Sequence, residues 1–152
     1  DLLKKDSHGL AHRLDIYGAG PDGKQLHRFM QMHALDINIY QPMKNADTIE
    51  LMRTYEYILF PSTCFETFGL IVAEAFSVGT PVLIYNIGSP ADYVRNGYNG
   101  FIMDLDNPWL SIERALSISD TEYDLLRRNA RKTYEENFSV KNRIKLLRNS
   151  ET

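Results

Sequence analysis

The sequence contains a single cysteine, Cys64, so no disulfide can form within the chain and no cysteine-rich metal site can be assembled from it. Such cysteine usage implies a reducing compartment, the cytoplasm. No stretch approaches the ~20 consecutive apolar residues that cross a bilayer, and the first residues lack the apolar centre of a signal peptide. Charge of one sign is not in excess either. Lys+Arg number 17 against 20 Asp+Glu, a net charge of −3, which argues against a nucleic-acid backbone as the main partner. Low-complexity segments and internal repeats are missing as well. What remains is an ordinary globular composition: 152 residues, 43% hydrophobic and 24% charged, one domain at about 150 residues per domain. The chain opens on Asp1-Leu2-Leu3-Lys4-Lys5, without an initiator Met and on what reads as the back half of an amphipathic helix. A fragment of a longer protein is therefore expected.

Short apolar runs alternate with longer helical patterns, the βαβα order of an α/β fold built on a doubly wound parallel sheet. Leu14 to Tyr17 reads as a strand. A helix follows over roughly Asp22 to Ala34, with Leu26, Phe29, Met30 and His33 on one face. Ile37 to Tyr40 is a second strand, Asp47 to Thr54 a helix capped by Asn45 or Asp47, and Tyr57 to Phe60 a third strand closed by Pro61. An apolar helix over Gly69 to Val78 is stopped by Gly79 and Pro81. Val82 to Tyr85 is almost purely apolar, as befits a parallel strand covered on both faces, and Phe101 to Met103 forms a short fifth strand. From Asn107 to Arg148 the pattern is helical, with a break at Phe138-Ser139 where Ser139 can cap a last helix.

In such sheets ligands sit beyond the carboxyl ends of the strands. Three post-strand loops there let backbone approach a ligand closely: Gly18-Ala19-Gly20, Ser62 through Gly69, and Asn86 through Pro90. The second loop carries Glu66, and the helix it feeds carries Glu74, with seven residues between the two. Eight helical steps span ~12 Å, too far for a carboxylate pair flanking one glycosidic bond and better suited to the two ends of an extended ligand. Between them, Phe68-Gly69-Leu70 starts the helix, where unpaired N–H groups and the positive dipole end receive an anion such as a diphosphate. Carboxylate, N–H cluster, carboxylate is the order that matches sugar, diphosphate, ribose.

The run Glu66-Thr67-Phe68-Gly69-Leu70 with Glu74 matches E-x-F-G-[LI]-x-x-x-E, and in this the chain resembles the retaining GT-B glycosyltransferases, group 1, of the family 4 kind. The resemblance continues through Pro61-Ser62, Glu74-Ala75, Gly79-Thr80-Pro81-Val82, Gly88, Val94 and Gly97-Tyr98-Asn99-Gly100-Phe101. Gly18-Ala19-Gly20-Pro21 looks like the family's G-x-G-P, so nearly the whole chain is covered. The resemblance implies the C-terminal, Rossmann-like half of a GT-B fold without its first strand, a single nucleotide-sugar-binding domain over 1–152. It implies that Glu66, the catalytic candidate, binds hydroxyls of the donor sugar. Backbone amides around Phe68, Gly69 and Leu70 would hold the diphosphate of a UDP- or GDP-sugar, and Glu74 the ribose. Ile39 and Gln41, in the stretch from Ile37, would lie beside the base, and Gly18 on the donor side. No metal, cofactor or protein base is implied; the donor phosphate would accept the proton of the incoming hydroxyl.

The family's G-R and K-G dipeptides, whose Arg and Lys neutralise the leaving diphosphate, and its N-terminal acceptor-binding domain fall outside the chain. Ser89 and Asp92 replace Gly and Glu of its G-G-x-x-E loop, and Gln41 stands where glycine is common. The isolated chain is expected to be inactive. A noncatalytic GT-B-like partner module and a nucleotide-sugar epimerase are the alternatives.

Blander features compete for attention. Gly18-x-Gly20-x-x-Gly23 has the form of a dinucleotide fingerprint, but the following strand ends Ile39-Tyr40-Gln41 without the acidic residue that binds an adenosine ribose. Cys64 has no histidine near it in sequence, all four lying before residue 34, and reads as a packing or loop thiol. Ser62 and Thr63 read as partners of loop backbone. His8, His12, His27 and His33 make no metal spacing with acidic residues, and Met30, Met32 and Met43 read as packing. The basic stretch of Arg127, Arg128 and Lys132, continued by Lys141, Arg143, Lys145 and Arg148, is in the first instance a solvated helical face. Its alternative roles are attraction of the full-length protein to the inner face of an anionic membrane, or to the domain outside this chain.

Overall fold

The computed structural model describes residues 13–33 and 37–139, which fall into two compact units divided between Asp47 and Thr48. In the first unit, β1 (Leu14–Tyr17) and β2 (Ile37–Tyr40) run parallel, with Leu14 opposite Ile37 and Tyr17 opposite Tyr40. The helix between them, α1, spans Gly23–His33, close to expectation. Leu26 and Met30 are half-buried, whereas Phe29 and Met32, read from sequence as packing residues, are exposed, as is Met43. A period of two sorts the strands into an apolar face (Leu14, Ile16, Ile37, Ile39) and a polar one (Asp15, Tyr17, Asn38, Tyr40). On the polar face Arg13 grips the Asp15 carboxylate by two hydrogen bonds of 2.7 and 2.8 Å, and Asn38 Nδ2 donates to it at 3.0 Å. The Tyr17 and Tyr40 rings stack with centroids 4.7 Å apart.

Helix α2 spans Asn45–Met52, beginning and ending two residues before the expected bounds. Thr54, expected to be its last residue, instead closes it: its N–H and hydroxyl both donate to the Leu51 carbonyl, at 2.9 and 2.8 Å.

The second unit is built on a three-stranded parallel sheet in the order β3 (Ile58–Phe60), β4 (Val82–Tyr85), β5 (Gly100–Met103). Between β3 and β4 runs α3 (Leu70–Ser77). It ends as the Gly79 and Pro81 signals predict, with Gly79 N–H bonded to Phe76 O and Thr80 N–H to Ala75 O, the two bonds of a Schellman turn. The turn after β4 holds a one-turn helix, α4 (Ser89–Asp92), where a loop was expected. Pro90 favours the first turn of a helix because it has no N–H to leave unpaired, so the signal was present. The long C-terminal helix expected from residue 107 is two helices, α5 (Pro108–Ser117) and α6 (Asp120–Asn137). Ser119 divides them. Its hydroxyl accepts from Glu122 N–H at 3.4 Å while Glu122 Oε2 accepts from Ser119 N–H at 2.9 Å, a reciprocal capping box written in the sequence as Ser-Asp-Thr-Glu. The break at Phe138 is where it was expected; the helix beyond it lies outside the described residues.

Strand β4 shows why its sequence is apolar throughout. Val82 and Ile84 join Val72, Ala75, Phe76, Val94 and Ala130 in one buried cluster, while Leu83 joins Phe101, Met103, Ala115 and Leu126 in another. Helices therefore cover both faces of the sheet, the doubly wound arrangement read from the sequence. Among the described residues no helix is long and apolar enough to cross a membrane.

Candidate functional site

The segment after β3 has no regular structure until Leu70, and it forms one wall of an open depression of about 490 Å³. Phe60, Phe65, Glu66, Phe68, Gly69, Leu70 and Ile71 line it. Glu66 is half-buried, yet Phe65, Phe68 and Leu70 present 77%, 54% and 61% of their surface, an apolar rim around a carboxylate. Within its unit the fold therefore gathers four of the predicted residues, Glu66, Phe68, Gly69 and Leu70. Phe65 and Ile71, which also line the depression, were not singled out by the sequence; the exposed aromatic next to Glu66 was the available signal.

Gly69 caps α3 in the left-handed region, φ 55° and ψ 49°, with no side chain bonded to the helix start. Its carbonyl takes the N–H groups of Val72 and Ala73 at 3.0 and 3.4 Å. The N–H groups of Gly69, Leu70 and Ile71 have no acceptor among the described residues, so three donors remain at the positive end of the helix. There is no acidic residue in the first turn to neutralise them. Glu74 follows on the same helix, half-buried, and its backbone carbonyl accepts from Ser77 Oγ at 2.6 Å. Among the described residues neither the Glu66 nor the Glu74 carboxylate has a hydrogen bond or ion pair. Chemically, this is a set of acceptors for hydroxyls separated by a set of donors for an anion.

Gly18, Ile39 and Gln41 belong to the first unit. Gly18 N–H donates to Tyr40 O at 3.1 Å, Ile39 is half-buried within β2, and Gln41 is exposed just past the strand's end. Ser62 serves the loop, as read from the sequence: its Oγ accepts from Cys64 N–H at 3.3 Å, and the Cys64 thiol is free and exposed. Among the described residues no group of three or more His, Cys, Asp or Glu could hold a metal ion; His8 and His12 lie outside them.

The basic stretch on α6 is partly committed. Arg127 Nε donates to Gly79 O at 3.3 Å and Arg131 to Ser77 O, so two guanidiniums sit on carbonyls at the C-terminal end of α3, where the helix dipole is negative. Arg128 and Lys132 remain exposed, and Lys141, Arg143, Lys145 and Arg148 lie outside the described residues.

Residues 1–136 match the protein family described as glycosyl transferases group 1. Two curated relatives are similar. One is an exopolysaccharide phosphotransferase of Streptomyces coelicolor, 29% identical over 81% of this chain and 13% of the relative. The other is an uncharacterized glycosyltransferase of Methanocaldococcus jannaschii, 27% identical over 90% of this chain and 37% of the relative. Among solved structures, Anabaena HepE in complex with UDP superposes with a TM-score of 0.75 at 24% identity, covering 99% of this chain and 43% of that one. The chain thus spans less than half the length of each of these proteins.

Proposed function

The chain belongs to the group 1 glycosyl transferases, and from that premise we propose that it is the C-terminal, nucleotide-sugar-binding half of a retaining GT-B enzyme. One observation carries the reading: two carboxylates without partners among the described residues, Glu66 and Glu74, stand before and after three N–H groups at the start of α3 that have no acceptor among those residues either. A diphosphate is received by the amides around Phe68, Gly69 and Leu70, because an anion there meets both donors and dipole. Glu66 accepts from hydroxyls of the donor sugar and Glu74 from those of the ribose. Ile39 and Gln41 border the base, with Gly18 on the donor side. The donor is a nucleoside-diphosphate sugar, UDP- or GDP-linked, and no metal takes part. The sugar passes to an acceptor held by an N-terminal domain outside this chain, with the donor phosphate taking the acceptor's proton. Alone, the chain binds donor without transferring sugar. The complete enzyme works in the cytoplasm, with peripheral attachment to the inner face of the membrane through basic residues of the Arg128 and Lys132 kind.

Calorimetric titration of the chain with UDP, GDP, ADP and NAD tests this. One nucleoside diphosphate is expected to bind saturably, and Glu74→Ala to weaken it by roughly 10-fold or more, the worth of a hydrogen bond to a charged group. Binding of NAD alone, or nucleotide affinity indifferent to Glu74→Ala, overturns the reading.

A further inference from the structure

Glu66 lies in no helix or strand, and its carboxylate is tied to nothing among the described residues, so its position must come from its backbone. That backbone rests on the loop after β4. Gly88 has φ 71° and ψ −178°, a region that residues other than glycine avoid. A Cβ there would stand 2.7 Å from the carbonyl oxygen of Glu66 and 2.9 Å from its nitrogen. The next residue completes the seat, since Ser89 N–H donates to the same Glu66 carbonyl at 3.0 Å. The contact is reciprocal: a Cβ on Gly69 would collide with the ring of Pro90. Each loop thus places a glycine under a residue of the other, and the pair forms one pedestal with Glu66 on top.

Resting on the reading of Glu66 as the carboxylate that binds the donor sugar, we propose that Gly88 and Ser89 are positioning residues for that carboxylate. They hold the Glu66 peptide by van der Waals contact and one hydrogen bond, and touch no substrate themselves. A displacement of about 1 Å at a reacting centre costs on the order of 100-fold in rate, so a seat of this kind has kinetic consequences.

The test uses the full-length protein and measures transfer of sugar to water from UDP-glucose, UDP-N-acetylglucosamine and GDP-mannose. Two variants disturb the seat differently. Gly88→Ala pushes a methyl against the Glu66 peptide. Ser89→Pro removes the N–H and the hydroxyl and puts a ring carbon where the amide hydrogen met the Glu66 carbonyl, at the first position of α4 where proline suits the helix itself, and carries the test if Gly88→Ala fails to fold. Each is expected to lower kcat about 10- to 100-fold with donor KM nearly unchanged, and neither to lower it further in a Glu66→Gln background. Independent, multiplicative losses in that background, or a folded Ser89→Pro with wild-type kcat, overturn the positioning role and leave Glu66 in place. Wild-type kcat in Glu66→Gln, or no hydrolysis of any of the three donors by the unaltered protein, overturns the reading of Glu66 and the positioning role with it.

Discussion

Asn99 Nδ2 donates to Thr133 Oγ1 at 3.0 Å, a buried bond across 34 residues that ties the turn entering β5 to α6. Asn99 is fully buried and satisfied on both sides, since Nδ2 also donates to Tyr93 O at 2.9 Å and Oδ1 accepts from Arg95 N–H at 2.8 Å. Asn99→Ala leaves all of these partners wanting and is expected to cost about 3 kcal/mol in urea unfolding. Thr133→Val keeps the volume and should cost about 1 to 2 kcal/mol. Equal stability of Asn99→Ala and the parent would show that the bond does not hold the turn.

Gly69→Ala is expected to damage binding and folding together. It forces a methyl into the Pro90 ring and a side chain into the left-handed region, a strain of about 1 to 3 kcal/mol. Because the same residue opens α3, UDP affinity should fall at temperatures where the variant is still folded, checked by calorimetry alongside circular dichroism. Gly69→Ala binding UDP as the parent does would remove the helix start from the diphosphate site.

Stability should depend on pH through Glu122. Its hydrogen bonds from the Ser119 hydroxyl and N–H hold its carboxyl below the ordinary 4.5. A carboxyl depressed in the folded state stabilises in full above the unfolded value and loses that contribution as pH falls through the folded one. Ser119→Ala should therefore lower Tm by a few degrees at about pH 6, the difference shrinking below pH 4.5 as Glu122 is protonated. A difference that grows on acidification would contradict the capping assignment.

Two neighbouring arginines should behave differently. Arg127→Ala removes a cation from the Gly79 carbonyl beyond α3 and is expected to cost about 1 kcal/mol. Arg128, exposed and without a hydrogen bond or ion pair among the described residues, should tolerate Arg128→Ala to within about 0.5 kcal/mol of the parent. Chemical denaturation of both distinguishes a structural arginine from a free one.

What could be read in advance followed local signals. Val82 to Tyr85 announced a strand covered on both sides, and Gly79 with Pro81 announced the end of α3. Glu66, Gly69 and Glu74 were visible because loop, helix start and helix interior each leave a mark in sequence. The α5–α6 break went unread although Ser119-Asp120-Thr121-Glu122 spells a capping box, because the apolar spacing of Leu110, Ala115 and Ile118 continues toward Leu125. The seat of Glu66 on Gly88 was not legible at all. It joins segments some twenty residues apart through backbone atoms, and backbone contacts leave no side-chain pattern.

Helix α6 gives Leu126 to the cluster on one face of the sheet and Ala130, with Tyr134 beside it, to the cluster on the other. A single rod is therefore shared by two layers that would otherwise be separate oil drops. Neither layer can come apart while the other stays intact, so heat should dismantle the second unit in one all-or-none step, and a nick inside α6 should release both faces at once.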